Sequence, residues 1–336
     1  MRIGVDAMGG DFAPAEPVKG ALAARDLLGP NDRIVLIGQT DAIKPHLANA
    51  EGWQDYIELV ECSQVIGMDE APVEALRTKP DSSIALMSKL HKTGEVDAII
   101  SAGNTGACVA ACQMNLRRLT GVHRPGIAIS MPTFYGPVTL CDVGANVDCR
   151  PQHLLQYGIM ASIYAKHVTG IAEPRVGLLS IGEEDGKGNA LVKKTRELLK
   201  NQKGMKFIGN VEGRDLFRGV VDVVVSEGFV GNVCLKLMEG LAAGLFRSLG
   251  KEMAGADPNL AMQAGKLLEG IRSRYDYNEY GGAPLLGVNG ICIICHGSST
   301  YRAAYNAIRV AKEFSTRGLN QIIMNELGQC EKVTDA

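Results

Sequence analysis

Polar, glycine-containing segments recur along the chain, each behind a run of apolar residues, and they hold the groups that can do chemistry. Asp6-Ala7-Met8-Gly9-Gly10-Asp11 follows Arg2 to Val5, and Ser101-Ala102-Gly103-Asn104-Thr105-Gly106-Ala107 follows Val96 to Ile100. Asp142-Val143-Gly144-Ala145-Asn146 follows Val138 to Cys141. Farther on, Leu179 to Glu184 leads into Gly186-Lys187-Gly188-Asn189, Glu227 to Asn232 follows a run of valines, and His296-Gly297-Ser298-Ser299 follows Ile294-Cys295. Glycine lets backbone approach a ligand closely, Asn, Ser and Thr add donors, and free N–H groups at helix starts attract anions. Any one of these loops is explained as well by a turn and an N-cap. Their number points instead to an anion site, and phosphate is the anion such loops suit.

Lys187, between two glycines in one of these loops, is placed for contact with the anion rather than as a solvated surface lysine. His296 lies near Ser298 and Ser299 without any G-x-S-x-G context, so a loop histidine bonded to backbone is an equally good reading. Other motifs fall short. Gly182 to Lys187 lacks the G-x-x-x-x-G-K-[ST] spacing, and Gly186 to Leu191 has leucine at the third glycine of the dinucleotide pattern. Hydride transfer is therefore only a second reading. Cys292 and Cys295 have metal-ligand spacing, but a strand would send them to opposite faces, so no metal site is expected.

The elements that must position these loops are strands alternating with helices. Strands are expected at Arg2 to Val5, Arg33 to Ile37, Val96 to Ser101, Gly126 to Met131, Val138 to Asp142, Arg175 to Ile181, Lys206 to Val211, Val220 to Ser226 and Val288 to Cys295. Helices are expected at Ala15 to Leu28, Thr105 to Leu119, His153 to His167, Ala190 to Lys200, Val233 to Leu249 and Ser299 to Phe314. This is an α/β chain with a mainly parallel, doubly wound sheet, and ligands of such sheets sit beyond the carboxyl ends of the strands. No linker divides the 336 residues, so they form one domain with an interwoven second lobe. From 249 to 280 no strand intervenes, which predicts a projecting helical hairpin. Residues 331–336 read as a short flexible tail. Within the hairpin, Leu260, Ala264, Leu267, Leu268 and Ile271 fall on one helical face, suited to a membrane surface or to a second copy.

A composition 46% hydrophobic and 21% charged supports an ordered chain, and a net charge of -2 lacks the positive field that nucleic acid requires. The nine cysteines are odd in number and scattered, so reduced thiols are expected. No export signal is legible at the start, and no unbroken apolar run approaches the ~18 residues of a spanning helix. A cytoplasmic, at most peripherally membrane-associated location is expected. Arg117-Arg118 and Lys193-Lys194 are candidate contacts for an acidic partner.

In this order, the loops resemble the phosphate acyltransferase family of bacterial phospholipid synthesis. The resemblance runs from Met1 to about residue 330 and includes Glu279-Tyr280-Gly281-Gly282-Ala283-Pro284-Leu285-Leu286-Gly287. It implies a fold similar to phosphotransacetylases and to isocitrate and isopropylmalate dehydrogenases. It also implies a homodimer without organic cofactor, loosely attached to an anionic membrane. The implied reaction takes an acyl group from acyl carrier protein to inorganic phosphate, and a membrane glycerol-3-phosphate acyltransferase would consume the acyl phosphate. Lys187 would neutralise phosphate, His296 would protonate the leaving thiolate, and Asp142 would orient a donor. Asp6, Gly9, Gly10, Asn104, Thr105, Gly106, Asn146, Asn189, Asn232, Ser298 and Ser299 would contact phosphate or the substrate. Three rivals remain: a short-chain phosphotransacetylase using acyl-coenzyme A, a metal-dependent dehydrogenase of the isopropylmalate type, and a non-catalytic scaffold for lipid enzymes.

Overall fold

The computed structural model describes residues 1–254, 265, 270–271 and 281–334. Among them the strands are β1 (Arg2–Asp6), β2 (Arg33–Gly38), β3 (Ile57–Glu61), β4 (Ala98–Ser101), β5 (Gly126–Thr133) and β6 (Gly136–Cys141). They continue with β7 (Arg175–Leu179), β8 (Lys206–Val211), β9 (Val223–Val225), β10 (Ala283–Leu286) and β11 (Cys292–Ile294). The helices are α1 (Ala15–Ala23), α2 (Thr40–Leu47), α3 (Pro72–Thr78), α4 (Ser83–Thr93), α5 (Thr105–Asn115), α6 (Pro151–His167), α7 (Ala190–Asn201), α8 (Gly228–Ala254), α9 (Tyr301–Thr316) and α10 (Leu319–Thr334).

The strands join in one sheet in the order β3-β2-β1-β4-β11-β10-β5-β6-β9-β7-β8. One half, β3 to β11, is parallel throughout, and so is the other, β6 to β8. Between them lie three antiparallel pairings, β11 with β10, β10 with β5, and β5 with β6. An odd number of reversals means that the two halves run in opposite directions, and β10 and β5 form the seam.

Helices cover both faces, which is why the inner strands read as continuous apolar runs. Ile34, Val35, Leu36 and Ile37 are all fully buried. Alternate residues of such a strand feed different cores: Ile34 and Leu36 pack in one cluster, Val35 and Ile37 in another. A third core surrounds α6, with Tyr157 and Tyr164 fully enclosed. Helix α9 turns Ala303, Ala307, Val310, Ala311 and Phe314 inward, the spacing of an amphipathic helix.

Strands β3 and β10 and helices α2, α3, α4 and α10 are additions to the pattern expected from sequence. Helix α10 continues through Thr334, into the segment expected as a tail. Of the expected hairpin face, Leu260, Ala264, Leu267 and Leu268 lie outside the described residues, and Ile271 is exposed. Gly228–Met253 has the length and apolarity of a spanning helix, although only 6% of its most apolar window is buried. A search for an unbroken apolar run misses it because Lys236 and Glu239 interrupt the sequence. Leu237, Leu241, Leu245 and Leu249 stand exposed along it.

Candidate active site

Helix α8 is anchored where the second half of the sheet ends. Glu227 caps it, accepting from the N–H groups of Phe229 and Val230 at 2.6 and 3.0 Å. Gly228 N–H donates to Asn146 O at 2.8 Å, tying the helix to the loop that leaves β6. At Gly231 a Cβ would lie 2.6 Å from Ser226 Oγ and would also collide with the Asp142 carbonyl. From this anchor α8 passes over the seam, and its third turn meets the loop that leaves β11.

There a cavity of about 270 Å³ opens between α5, β5, the exit loop of β6, α8 and the exit loop of β11. Ile127, Ile129, Val143, Leu235 and Ile294 give it an apolar wall. Thr105, Asn232, Lys236, Glu239, His296 and Ser299 give it polar groups. An apolar pocket with a few convergent polar groups is the usual form of a small-molecule site.

The polar groups are linked. Lys236 Nζ donates to Glu239 Oε2 at 3.0 Å and hydrogen-bonds His296 Nε2. Glu239 Oε2 lies 3.8 Å from the same ring nitrogen. On the other side of the ring, Nδ1 lies 2.8 Å from Ser298 Oγ and accepts from Ser298 N–H at 3.2 Å. The histidine is thus held at both ends, between a cation and a hydroxyl.

Of the residues expected from sequence, Thr105, Gly106, Asn232, His296 and Ser299 line this cavity, and Ser298 adjoins it through His296. Asp6, Gly9 and Gly10 sit behind it. Asp6 is buried, accepting from Ser101 Oγ at 2.6 Å and from Met8 N–H at 3.1 Å, and burial raises its carboxyl above the ordinary value despite these bonds. A Cβ on Gly9 would lie 2.6 Å from Gly103 N, and Asp11 N–H donates to Gly297 O at 2.7 Å. The exit loops of β1, β4 and β11 are therefore one hydrogen-bonded block.

Three other residues have no capacity left for a substrate. Asn104 accepts from Ala107 N–H at 3.0 Å and donates to the carbonyls of Gly67, Met68 and Glu70. Asn146 donates to Pro125 O at 2.6 Å and to Tyr157 Oη at 2.9 Å. Asp142, fully buried, accepts from the N–H groups of Ile127, Ala145 and Asn146 at 3.0, 3.0 and 2.7 Å, and from Asn146 Nδ2 at 3.3 Å. Its role is to shape the loop that walls the cavity. Burial raises its carboxyl as well.

Lys187 and Asn189 are not brought to the cavity. Lys187 is exposed on the exit loop of β7, which lies two strands beyond β6, and Asn189 caps α7 by accepting from Val192 N–H at 2.9 Å. Among the described residues, the lysine that lines the cavity is Lys236. Sequence reasoning missed it, and Glu239 with it, because both sit inside an apolar helix rather than in a polar loop. Their i, i+3 spacing on one face was the available signal.

Three larger clefts lie elsewhere among the described residues, one of them, of about 460 Å³, between Leu27 and the end of α9 at Arg309 to Arg317. A second, of about 580 Å³, borders the amino ends of β7 and β8 and is lined by Lys166, Lys203, Lys206 and Glu173, the last two paired at 3.7 Å. Another of about 880 Å³ is lined by Arg118, His123, Arg124, Arg150 and His153, with Asp148 its one acid. It adjoins the cavity through the exit loop of β6, which contributes Gly144 to one and Asp148 to Arg150 to the other. Burial, then the neighbouring Arg124, His123 and Arg150, hold His153 below the ordinary histidine value.

Residues 1–322 match the family described as "Fatty acid synthesis protein". A phosphate acyltransferase of Desulfitobacterium hafniense is 51% identical over 333 residues, covering 97% of this chain and 98% of its own. One of Geobacter sulfurreducens is 47% identical over 335 residues, covering 97% and 94%. Among solved structures, a phosphotransacetylase from Streptococcus pyogenes superposes with a TM-score of 0.62 at 17% identity, covering 94% of each chain. A 4-hydroxythreonine-4-phosphate dehydrogenase from Klebsiella pneumoniae superposes with a TM-score of 0.52 at 13% identity, covering 93% and 97%. These superpositions bear on the fold, a dehydrogenase-like α/β architecture that phosphotransacetylases share. By its match over nearly the full length, the chain belongs to the fatty acid synthesis protein family, that of the phosphate acyltransferases.

Proposed function

We propose that this acyltransferase moves a fatty acyl group from a carrier-protein thioester onto inorganic phosphate in the cavity beneath α8. The observation that carries the reading is the meeting of an anion-binding rim, with Lys236, His296, Thr105 and Ser299, and an apolar wall. Phosphate needs the first and an acyl group the second. Phosphate-dependent release of free carrier from palmitoyl carrier protein is the expected result. Turnover confined to acetyl-coenzyme A would favour a short-chain phosphotransacetylase, a nicotinamide-dependent absorbance change a dehydrogenase, and binding without turnover a scaffold.

Phosphate is a competent nucleophile near neutral pH, and a thiol with a pKa of about 8.5 leaves readily. The reaction calls for orientation, for relief of repulsion around the anion, and for donors aimed at the tetrahedral oxyanion. No cofactor is needed for that chemistry. His296 can return a proton to the departing sulfur. Attack is direct, without an acyl-enzyme. Cys295 lines the cavity, yet burial pushes its thiol up to about 12. Contact with Cys292 and burial raise Cys108, and burial raises Cys141. A thiol that stays protonated is a poor nucleophile.

The carrier protein docks, in this reading, on the cleft of Arg118, Arg124 and Arg150, whose charge suits an acidic partner. The double variant Arg124→Glu with Arg150→Glu is expected to raise KM for acyl carrier protein at least ~10-fold, with kcat little changed, and the wild type to lose that advantage at high salt. An unchanged KM at low salt would assign docking to another surface. A homodimer, peripheral membrane attachment in the cytoplasm and a downstream membrane acyltransferase complete the proposal. The exposed leucines of α8 are available for the first two. Sedimentation and flotation with anionic liposomes test them.

A further inference from the structure

We infer that Glu239 selects the protonated form of the phosphate and takes its proton during attack, a role that rests on the acyl-transfer reading of this cavity. Among the described residues that line the cavity, Glu239 is the one carboxylate. Its side chain is only 17% exposed, it lines the cavity, and it contacts Lys236 at 3.0 Å and approaches His296 Nε2 to 3.8 Å. A carboxylate beside an anion site opposes binding until protons are counted. A carboxylate only accepts hydrogen bonds, so it repels an oxyanion that carries no proton and welcomes one that does. Hydrogenphosphate carries a P–OH at neutral pH. Sulfate, of the same shape and charge, does not.

The same contact gives the reaction its proton balance. A phosphate oxygen forms a bond to the thioester carbonyl carbon, the C–S bond breaks, and the P–OH proton passes to Glu239. The sulfur leaves as a thiolate and takes a proton from His296. Lys236, hydrogen-bonded to both Glu239 and His296, can pass one proton on to Nε2 while receiving another from the carboxyl, and exchange of the ring proton with solvent returns the histidine to its starting tautomer. Hydrogenphosphate and thioester are thus converted to acyl phosphate dianion and thiol with no proton left over.

The test uses the full chain with palmitoyl carrier protein, measuring KM for phosphate and Ki for sulfate. Wild type is expected to be inhibited weakly by sulfate and to accept hydrogenarsenate, which carries a proton, in place of phosphate. In Glu239→Gln the ratio of Ki for sulfate to KM for phosphate should fall at least ~10-fold, and kcat should fall by roughly 100-fold. Glu239→Asp should recover much of the discrimination. A carboxylate that merely holds Lys236 in place would weaken both anions together, and an unchanged ratio in folded Glu239→Gln overturns the inference. Sulfate inhibition of the wild type with a Ki near the KM for phosphate overturns it without any variant. If the wild type releases no carrier, the acyl-transfer reading fails instead, and calorimetric titration with phosphate and with sulfate still measures the ratio.

Discussion

Lys236→Ala is expected to lower kcat/KM for phosphate by roughly 100- to 1000-fold, while Lys187→Ala leaves it within about a factor of three. Lys236 is held by Glu239 and His296 at the cavity, so its charge is organised before the anion arrives. Such preorganisation makes a charge most effective in the transition state. Lys187 has the more suggestive sequence setting, between glycines behind a strand, but it is exposed on the far side of β9 from the seam. Steady-state kinetics with saturating acyl carrier protein and varied phosphate separate the two lysines. The reverse order of effects would move the phosphate site to the exit loop of β7.

Asp142→Asn is expected to lower the melting temperature by roughly 5 to 10 °C and to abolish most activity, although Asp142 touches no substrate. Its two carboxyl oxygens receive four donors, and an amide in their place turns one acceptor into a donor facing N–H groups. Each buried N–H left without a partner costs about 1 to 3 kcal/mol. The loop from Val143 to Asn146 would lose its shape, and with it Val143 and Gly144 at the cavity and the bond from Gly228 N–H to Asn146 O that seats α8. Differential scanning calorimetry beside the activity assay checks this. A variant with wild-type melting and no activity would instead give Asp142 a direct part in the chemistry.

The contrast between these two residues marks what the sequence makes legible. Loops behind strands are visible because glycine and small polar residues interrupt apolar runs, and those of β1, β4, β6 and β11 do gather around the seam. Their individual roles are not visible, because Asn104 and Asn146 look like donors to a ligand and are spent on backbone carbonyls. Lys236 and His296 are 60 residues apart in sequence, and only the path of α8 across the seam brings them together. Strand β10, with Pro284 in a run of four, carries too little alternation to be recognised as a strand. It is also one of the two strands that reverse the sheet, so the opposed halves are hidden with it. Edge strand β3, with Glu58 and Glu61 in a run of five, is similarly faint.

The central claim is that acyl phosphate forms by direct attack of phosphate on the carrier thioester. The measurement that tests it most directly is mass spectrometry of an acid-quenched single turnover of palmitoyl carrier protein, run with and without phosphate. With phosphate, palmitoyl phosphate and free carrier should appear in equal amounts, and without it the carrier should stay loaded and the enzyme unmodified. A palmitoyl adduct on the enzyme in phosphate-free buffer, discharged when phosphate is added, would contradict the account and put a cysteine or Ser298 at the centre of the site.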